Sequence, residues 1–209
     1  MKNKFNIAVL IGKGGRLQSI YNCVKKISNA EIILVVSDKI NSSGIDWAKK
    51  QKMESFCFPL KKWLSENPNK NRKDYNKELA AILKNKKVNF VVLAGWDVIL
   101  YKEFLENFPR GVINIHPSLC PAFGGMEAEK QALEYGVKYT GCTLHFVDEG
   151  VDTGPIILQE IIKIEDNDIL ETLQEKIHQK EEKILNEGIK AICENRLVLK
   201  GRKVIINNF

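Results

Sequence analysis

The chain has few residues of the kinds that build metal centres or disulfide frameworks. Its five cysteines, Cys23, Cys57, Cys120, Cys142 and Cys193, are scattered and odd in number, and none forms a CxxC pair. That spacing speaks against a disulfide scaffold and a zinc ribbon and fits a reducing, cytoplasmic setting. The three histidines, His116, His145 and His178, lack ligand spacing, and no HExxH is present, so no metal is expected. A P-loop, GxxxxGK[ST], is missing, as are RRM, KH and zinc-finger patterns, so no nucleic-acid partner is expected. The opening MKNKFNIAVLIGKGG has only a short apolar run, too brief for a secretory signal or a membrane span. Neither export nor a membrane is expected. There is no internal repeat and no low-complexity segment.

What remains is an ordinary globular composition. In 209 residues, 44% are hydrophobic and 28% charged, enough for one large domain or two merged subdomains with their own core. The net charge of +6 is spread over lysines such as Lys25, Lys49, Lys84, Lys86 and Lys183, which reads as solvated helix faces with at most a weak bias toward an anionic small substrate.

The first half alternates strand and helix patterns. FNIAVLI, EIILVVS, SFCF and VNFVVLA read as strands; RLQSIYNCVKKI, GIDWAKKQK and a segment from about Lys73 to Lys86 read as helices. That is the grammar of a parallel α/β sheet, and VNFVVLA is apolar enough to be buried on both faces. KWLSENPNKNRKD, between Leu60 and Tyr75, reads as a surface loop. Beyond residue 114 the texture becomes mixed. A loop with Pro117, Pro121, Gly124 and Gly125 precedes a helix near MEAEKQALEYG, strands TGCTLHFV and PIILQEIIKI, a long helix from about Asp168 to Asn195 and a terminal hairpin LVLKGRKVII. The expected fold class is α/β, a Rossmann-like, mostly parallel sheet flanked by helices, with a mixed C-terminal part. We expect a single domain over 1–209, with an N-terminal half over about 1–110 and a C-terminal half over about 111–209.

Several polar groups break these apolar patterns. In GVINIHPSLCPAFGG, side chains alternate across the strand, so Asn114 and His116 share one face, and Pro117 places both at the strand end, where open α/β sheets hold ligands. Satisfied core polar groups are the bland alternative. The same parity pairs Thr143 with His145 in TGCTLHFV, and Asp152, in the glycine-rich turn DEGVDTGP, is a short carboxylate within reach of either imidazole. Asp is also a common turn residue without chemistry. Glu181 falls on the apolar stripe of Leu170, Leu173, Ile177 and Ile184, where a carboxylate needs a partner or ligand unless the helix rises out of the core there. GKGGR, from Gly12 to Arg16, follows a strand and opens a helix, a place for an anion such as phosphate or simply a tight turn. It is not a dinucleotide fingerprint, because Leu17 takes the third glycine position.

VLAG, NIHPSLCP and GCTLHFVDEGVDTGPIILQ, in this order and spacing, resemble the phosphoribosylglycinamide formyltransferase family, folate-dependent enzymes of purine synthesis. The resemblance runs nearly end to end. It implies transfer of a formyl group from 10-formyltetrahydrofolate to glycinamide ribonucleotide, with Asn114, His116 and Asp152 as the catalytic trio and Thr143 and His145 in support. It implies that Glu181 holds the ribose hydroxyls and that Gly12, Lys13, Gly14, Gly15 and Arg16 hold the substrate phosphate. Folate binding falls to Arg72, Trp96, Val98, Ile99, Leu100 and Val151. The partners implied are these small molecules, and the implied assembly is a monomer or weak homodimer.

Three motifs depart from the family pattern. The phosphate loop, usually SGxGSN, is one residue shorter, FMRIL is replaced by WDVIL, and SLLP by SLCP. The Cys120–Pro121 bond, an X-Pro bond, is compatible with a cis form. Two other readings stay open: a related formyltransferase or formyl-folate hydrolase acting on another acceptor such as a sugar nucleotide, and a non-catalytic nucleotide-binding module.

Overall fold

The structure is a computed structural model that describes residues 4–207. The ends of the chain, 1–3 and 208–209, lie outside the described residues. The chain divides into two compact units, with the boundary between Ile113 and Asn114. A seven-stranded, mostly parallel sheet runs in the order β3-β2-β1-β4-β5-β6-β7, as the α/β pattern predicts.

In the first unit, β1 (Phe5–Ile11) pairs in parallel with β2 (Ala30–Ser37) and with β4 (Phe90–Ala94), and β2 pairs in parallel with β3 (Ser55–Cys57). Every residue of β4 is buried, as a strand covered on both faces must be. Helix α1 (Leu17–Val24) turns Leu17, Ile20 and Val24 inward, the i, i+3, i+7 positions that one helix face presents. α2 (Ser43–Lys50) follows β2.

The expected loop between Leu60 and Tyr75 is in part a helix, α3 (Leu60–Glu66). Its Lys, Ser and Glu residues face water, and its apolar face, the buried Trp63 with the half-buried Leu60 and Leu64, spans little more than one turn, too short a stripe to read as periodic. α4 (Arg72–Asn85) then starts at a capping box, in which the Asn71 side chain accepts from Lys73 N and Asp74 N while Asp74 reaches back to the Asn71 amide. A short α5 (Lys102–Leu105) was not expected; at four residues it carries no periodic signal.

β5 (Val112–His116) crosses the boundary and stops at Pro117, which has no N–H to offer a ladder. In the second unit, α6 (Ala128–Tyr135) is followed by β6 (Tyr139–Phe146) and β7 (Ile156–Lys163), which pair antiparallel. α7 (Leu170–Cys193) packs on both strands. The contact is close at Gly188, where a Cβ would stand 2.0 Å from the Leu144 Cδ2. β8 (Leu197–Lys200) and β9 (Lys203–Ile206) form the terminal hairpin, joined by Gly201 and Arg202.

Candidate active site

The side chains of Asn114, His116, His145 and Asp152 meet within the second unit. Strand alternation puts Asn114 and His116 on one face at the end of β5, and His145 comes from the end of β6. Asp152 stands in the turn that follows β6, with a left-handed backbone (φ 53°) that is uncommon for a residue other than glycine. Its Oδ2 lies 3.2 Å from the His116 Nδ1 and accepts from the Gly125 amide at 2.9 Å. Its Oδ1 accepts from the Asn114 Nδ2 at 3.3 Å and stands 3.6 Å from the His145 Nε2.

Backbone carbonyls decide where the ring protons sit. His116 Nε2 is 2.8 Å from the Phe123 carbonyl and His145 Nδ1 is 2.8 Å from the Phe146 carbonyl. A carbonyl only accepts, so both of these nitrogens carry hydrogen. His145 Nε2 stands between two partners: neutral, it accepts from the Asn114 amide 3.3 Å away; protonated, it faces the Asp152 Oδ1, 3.6 Å away, as a donor. His116 Nδ1 instead faces a carboxylate. A proton between them makes an ion-paired hydrogen bond; without it two lone pairs oppose each other.

Burial pushes the Asp152 carboxyl up, but the hydrogen bonds from His145 and Gly125 and the charges of His116 and His145 outweigh it, and its pKa lies below the usual carboxylate value. The group is therefore held as an anion. Such a site can stabilise positive charge on an imidazole and relay a proton.

Thr143 acts on the surrounding loop. Its hydroxyl donates to the Ser118 carbonyl at 2.7 Å and accepts from the Cys120 amide and from Gln159. The Cys120–Pro121 bond in this loop is cis. Glu181, on α7, is fully buried, so the helix does not rise out of the core at that point. Val151, beside Asp152, is exposed.

The first unit holds the glycine loop. A Cβ on Gly12 would stand 2.3 Å from the Gly95 carbonyl, and one on Gly14 would stand 2.5 Å from the Gly44 Cα, so both positions need glycine. The Gly12 carbonyl accepts from Ser37 and Ser42, and the Lys13 carbonyl from Ser43 and the Gly44 amide. Lys13 and Gly15 are exposed, and Arg16 Nη1 lies 3.8 Å from where a Gly95 Cβ would be.

The segment Trp96–Leu100 lies in the same unit. Trp96 and Leu100 are buried, Ile99 is exposed and Val98 is half-buried. The Trp96 Nε1 has no hydrogen-bond partner among the described residues. Arg72 is exposed at the first position of α4.

Sequence reasoning missed the groups that hold this segment. Asn76 donates to the Arg72 and Ile99 carbonyls and accepts from the Tyr101 amide at 2.9 Å. Asp38 accepts from the Asp97 amide at 3.0 Å, and Lys39 bridges Asp97 at 2.6 Å. The available signal was weak: Asn76 is a polar residue on the apolar face of α4.

An amide, two imidazoles and a carboxylate at strand ends of an α/β sheet define the class of protein, one whose site can meet negative charge on a carbonyl oxygen and move a proton. The chain belongs to the formyl transferase family, whose profile matches residues 5–189. It is 40% identical over 201 residues to the phosphoribosylglycinamide formyltransferase of Dictyostelium discoideum, covering 90% of this chain and 98% of that protein. It is 42% identical over 179 residues to the trifunctional purine biosynthetic protein adenosine-3 of Drosophila pseudoobscura pseudoobscura, covering 84% of this chain but only 13% of that longer protein. The fold matches the crystal structure of glycinamide ribonucleotide transformylase 1 from Symbiobacterium toebii with a TM-score of 0.90, at 37% identity, over 98% of this chain and 95% of that one.

Proposed function

We propose that this enzyme transfers the formyl group of 10-formyltetrahydrofolate to the amino group of glycinamide ribonucleotide, in the cytoplasm, as a monomer or weak homodimer. The observation that carries the reading is the contact of Asp152 with His116, beside Asn114, at a strand end in a chain of the formyl transferase family.

The amine nitrogen attacks the formyl carbon, and the carbonyl electrons move to oxygen. The Asn114 amide N–H and a protonated His116 meet that negative charge. The bond from the formyl carbon to the folate nitrogen then breaks, the proton lost by the amine passes to that nitrogen, and tetrahydrofolate leaves. Asp152 holds the imidazolium by opposite charge and orients the proton's route.

His116 Nε2 is engaged by the Phe123 carbonyl, so the formyl oxygen reaches it by displacing that carbonyl. The Asn114 contacts, at 3.3 Å, are long and readily exchanged.

Gly12 to Arg16 hold the substrate phosphate, with Lys13 and Arg16 supplying point charges where the family loop has Ser and Asn, and Glu181 takes the ribose hydroxyls. Arg72, Trp96, Val98, Ile99, Leu100 and Val151 serve the folate. Ile99 and Val151 are each exposed apolar side chains, and the buried Trp96 N–H is a donor awaiting an acceptor. The test is release of free folate, followed by absorbance, from purified protein, 10-formyltetrahydrofolate and a set of acceptors. Turnover is expected with glycinamide ribonucleotide. Turnover without an acceptor identifies a hydrolase, turnover only with a sugar nucleotide moves the acceptor, and silence with every acceptor identifies a binding module.

A further inference from the structure

The turn that carries Asp152 is held from a distant part of the chain. It leaves β6 at Phe146 and enters β7 at Ile156, and its backbone closes through the Phe146 amide, which donates to the Pro155 carbonyl at 2.9 Å. Inside it, the Asp148 carboxylate accepts from the Gly150 amide at 3.1 Å and from the Thr153 hydroxyl at 2.6 Å. The winding is tight, since a Cβ on Gly154 would lie 1.6 Å from the Phe146 carbonyl. Asp152 itself keeps a positive φ of 53°, a conformation that persists in a non-glycine residue only when its surroundings hold it.

One of those surroundings is Arg202. It sits beside Gly201 in the two-residue connection of the β8–β9 hairpin, and β9 packs against β7. Its guanidinium Nη2 donates to the Thr153 carbonyl, on the residue that follows Asp152. Thr153 is thereby gripped at both ends, the hydroxyl by Asp148 and the carbonyl by Arg202.

We propose that Arg202 is a positioning residue for the transfer reaction, fixing through the Thr153 carbonyl the turn that presents Asp152 to His116. The inference rests on the function proposed above. The role assigned to Arg202 is exerted through the Thr153 carbonyl. Arg202 acts on catalysis by keeping the Asp152 Oδ2 at its 3.2 Å separation from the His116 Nδ1, a distance at which a small displacement weakens a charge-assisted bond. The terminal hairpin is thus a brace for the catalytic carboxylate.

The experiment compares the full-length protein with Arg202→Met, which keeps the length of the side chain without its donors, and Arg202→Lys, which keeps a cationic donor. Steady-state formyl transfer gives kcat and both KM values, and carbon-13 NMR titration of the Asp152 carboxyl reads the geometry without turnover. Arg202→Met is expected to lower kcat by about tenfold with both KM values within about twofold of the parent, the loss of one hydrogen bond made to best effect in the transition state. Its Asp152 carboxyl is expected to titrate at higher pH than in the parent, and Arg202→Lys is expected to recover most of both losses. An unchanged kcat with an unmoved carboxyl titration overturns the proposal. So does a loss of kcat that lysine does not restore while the carboxyl titration stays in place, because Arg202 then serves only hairpin stability. If the parent transfers no formyl group, the function proposed above fails, and an unmoved carboxyl in Arg202→Met removes the positioning claim separately.

Discussion

Asp152 sets the behaviour of the site at the scale of single residues. Replacing it with Asn keeps the shape and removes the charge that faces His116; replacing His116 with Ala removes the donor. Each change is expected to lower kcat by about 100-fold to 10,000-fold, with an unaltered circular dichroism spectrum, if general acid–base chemistry and charge stabilisation pass through this pair. The acid limb of stability carries a second expectation. The folded-state pKa of Asp152 lies below its ordinary value of 3.8, so its contribution to stability is present above that value and is lost as pH falls through the lower, folded-state value. Urea titrations should therefore show the stability difference between parent and Asp152→Asn moving against the parent below about pH 4. A difference that stays constant down to pH 2 contradicts the ion pair. Of these residues, Asn114 and His116 were legible in the sequence because strand parity and a following proline leave them few places to point. Their hydrogen-bond partners were not, since the Phe123 and Phe146 carbonyls are backbone groups and carry no sequence signature.

At the scale of elements, loops are tied down by short polar side chains. Asn76 bonds the Arg72 and Ile99 carbonyls and the Tyr101 amide, so Asn76→Ala is expected to cost about 1–3 kcal/mol and to raise KM for the folate donor more than it lowers kcat. Chemical denaturation and donor titration measure the two effects. Ser37, Ser42 and Ser43 likewise occupy the carbonyls of Gly12 and Lys13, and the Lys13 side chain is exposed. Lys13→Met is expected to raise KM for the phosphate-bearing acceptor by about five- to fiftyfold, the worth of one charge-assisted contact. Acceptor titration at fixed donor checks it. Sequence periodicity identified β4, α1 and α7 because their apolar stripes are long. It missed α3, whose one buried anchor is Trp63, and gave no hint of the serines, which are common in turns for reasons unconnected with ligands.

Across the whole molecule, the parallel first unit carries the glycine loop and the Trp96–Leu100 segment, and the mixed second unit carries Asn114, His116, Asp152, Glu181 and the terminal hairpin. The alternation of strand and helix patterns made the parallel half legible, and the off-pattern Glu181 marked a carboxylate turned inward. Contacts between residues far apart in sequence, such as Arg202 with Thr153, were closed to that reading because neither residue is unusual where it stands. The central claim is that Asn114, His116 and Asp152 move a formyl group between two small molecules. A single-turnover experiment with carbon-13-labelled formyl donor and glycinamide ribonucleotide, quenched and read by NMR, tests it most directly. The label should appear on the acceptor amine with the parent protein and be lost, at the same donor and acceptor concentrations, with a folded Asp152→Asn variant. Label transfer by that variant at close to the parent rate would contradict the account.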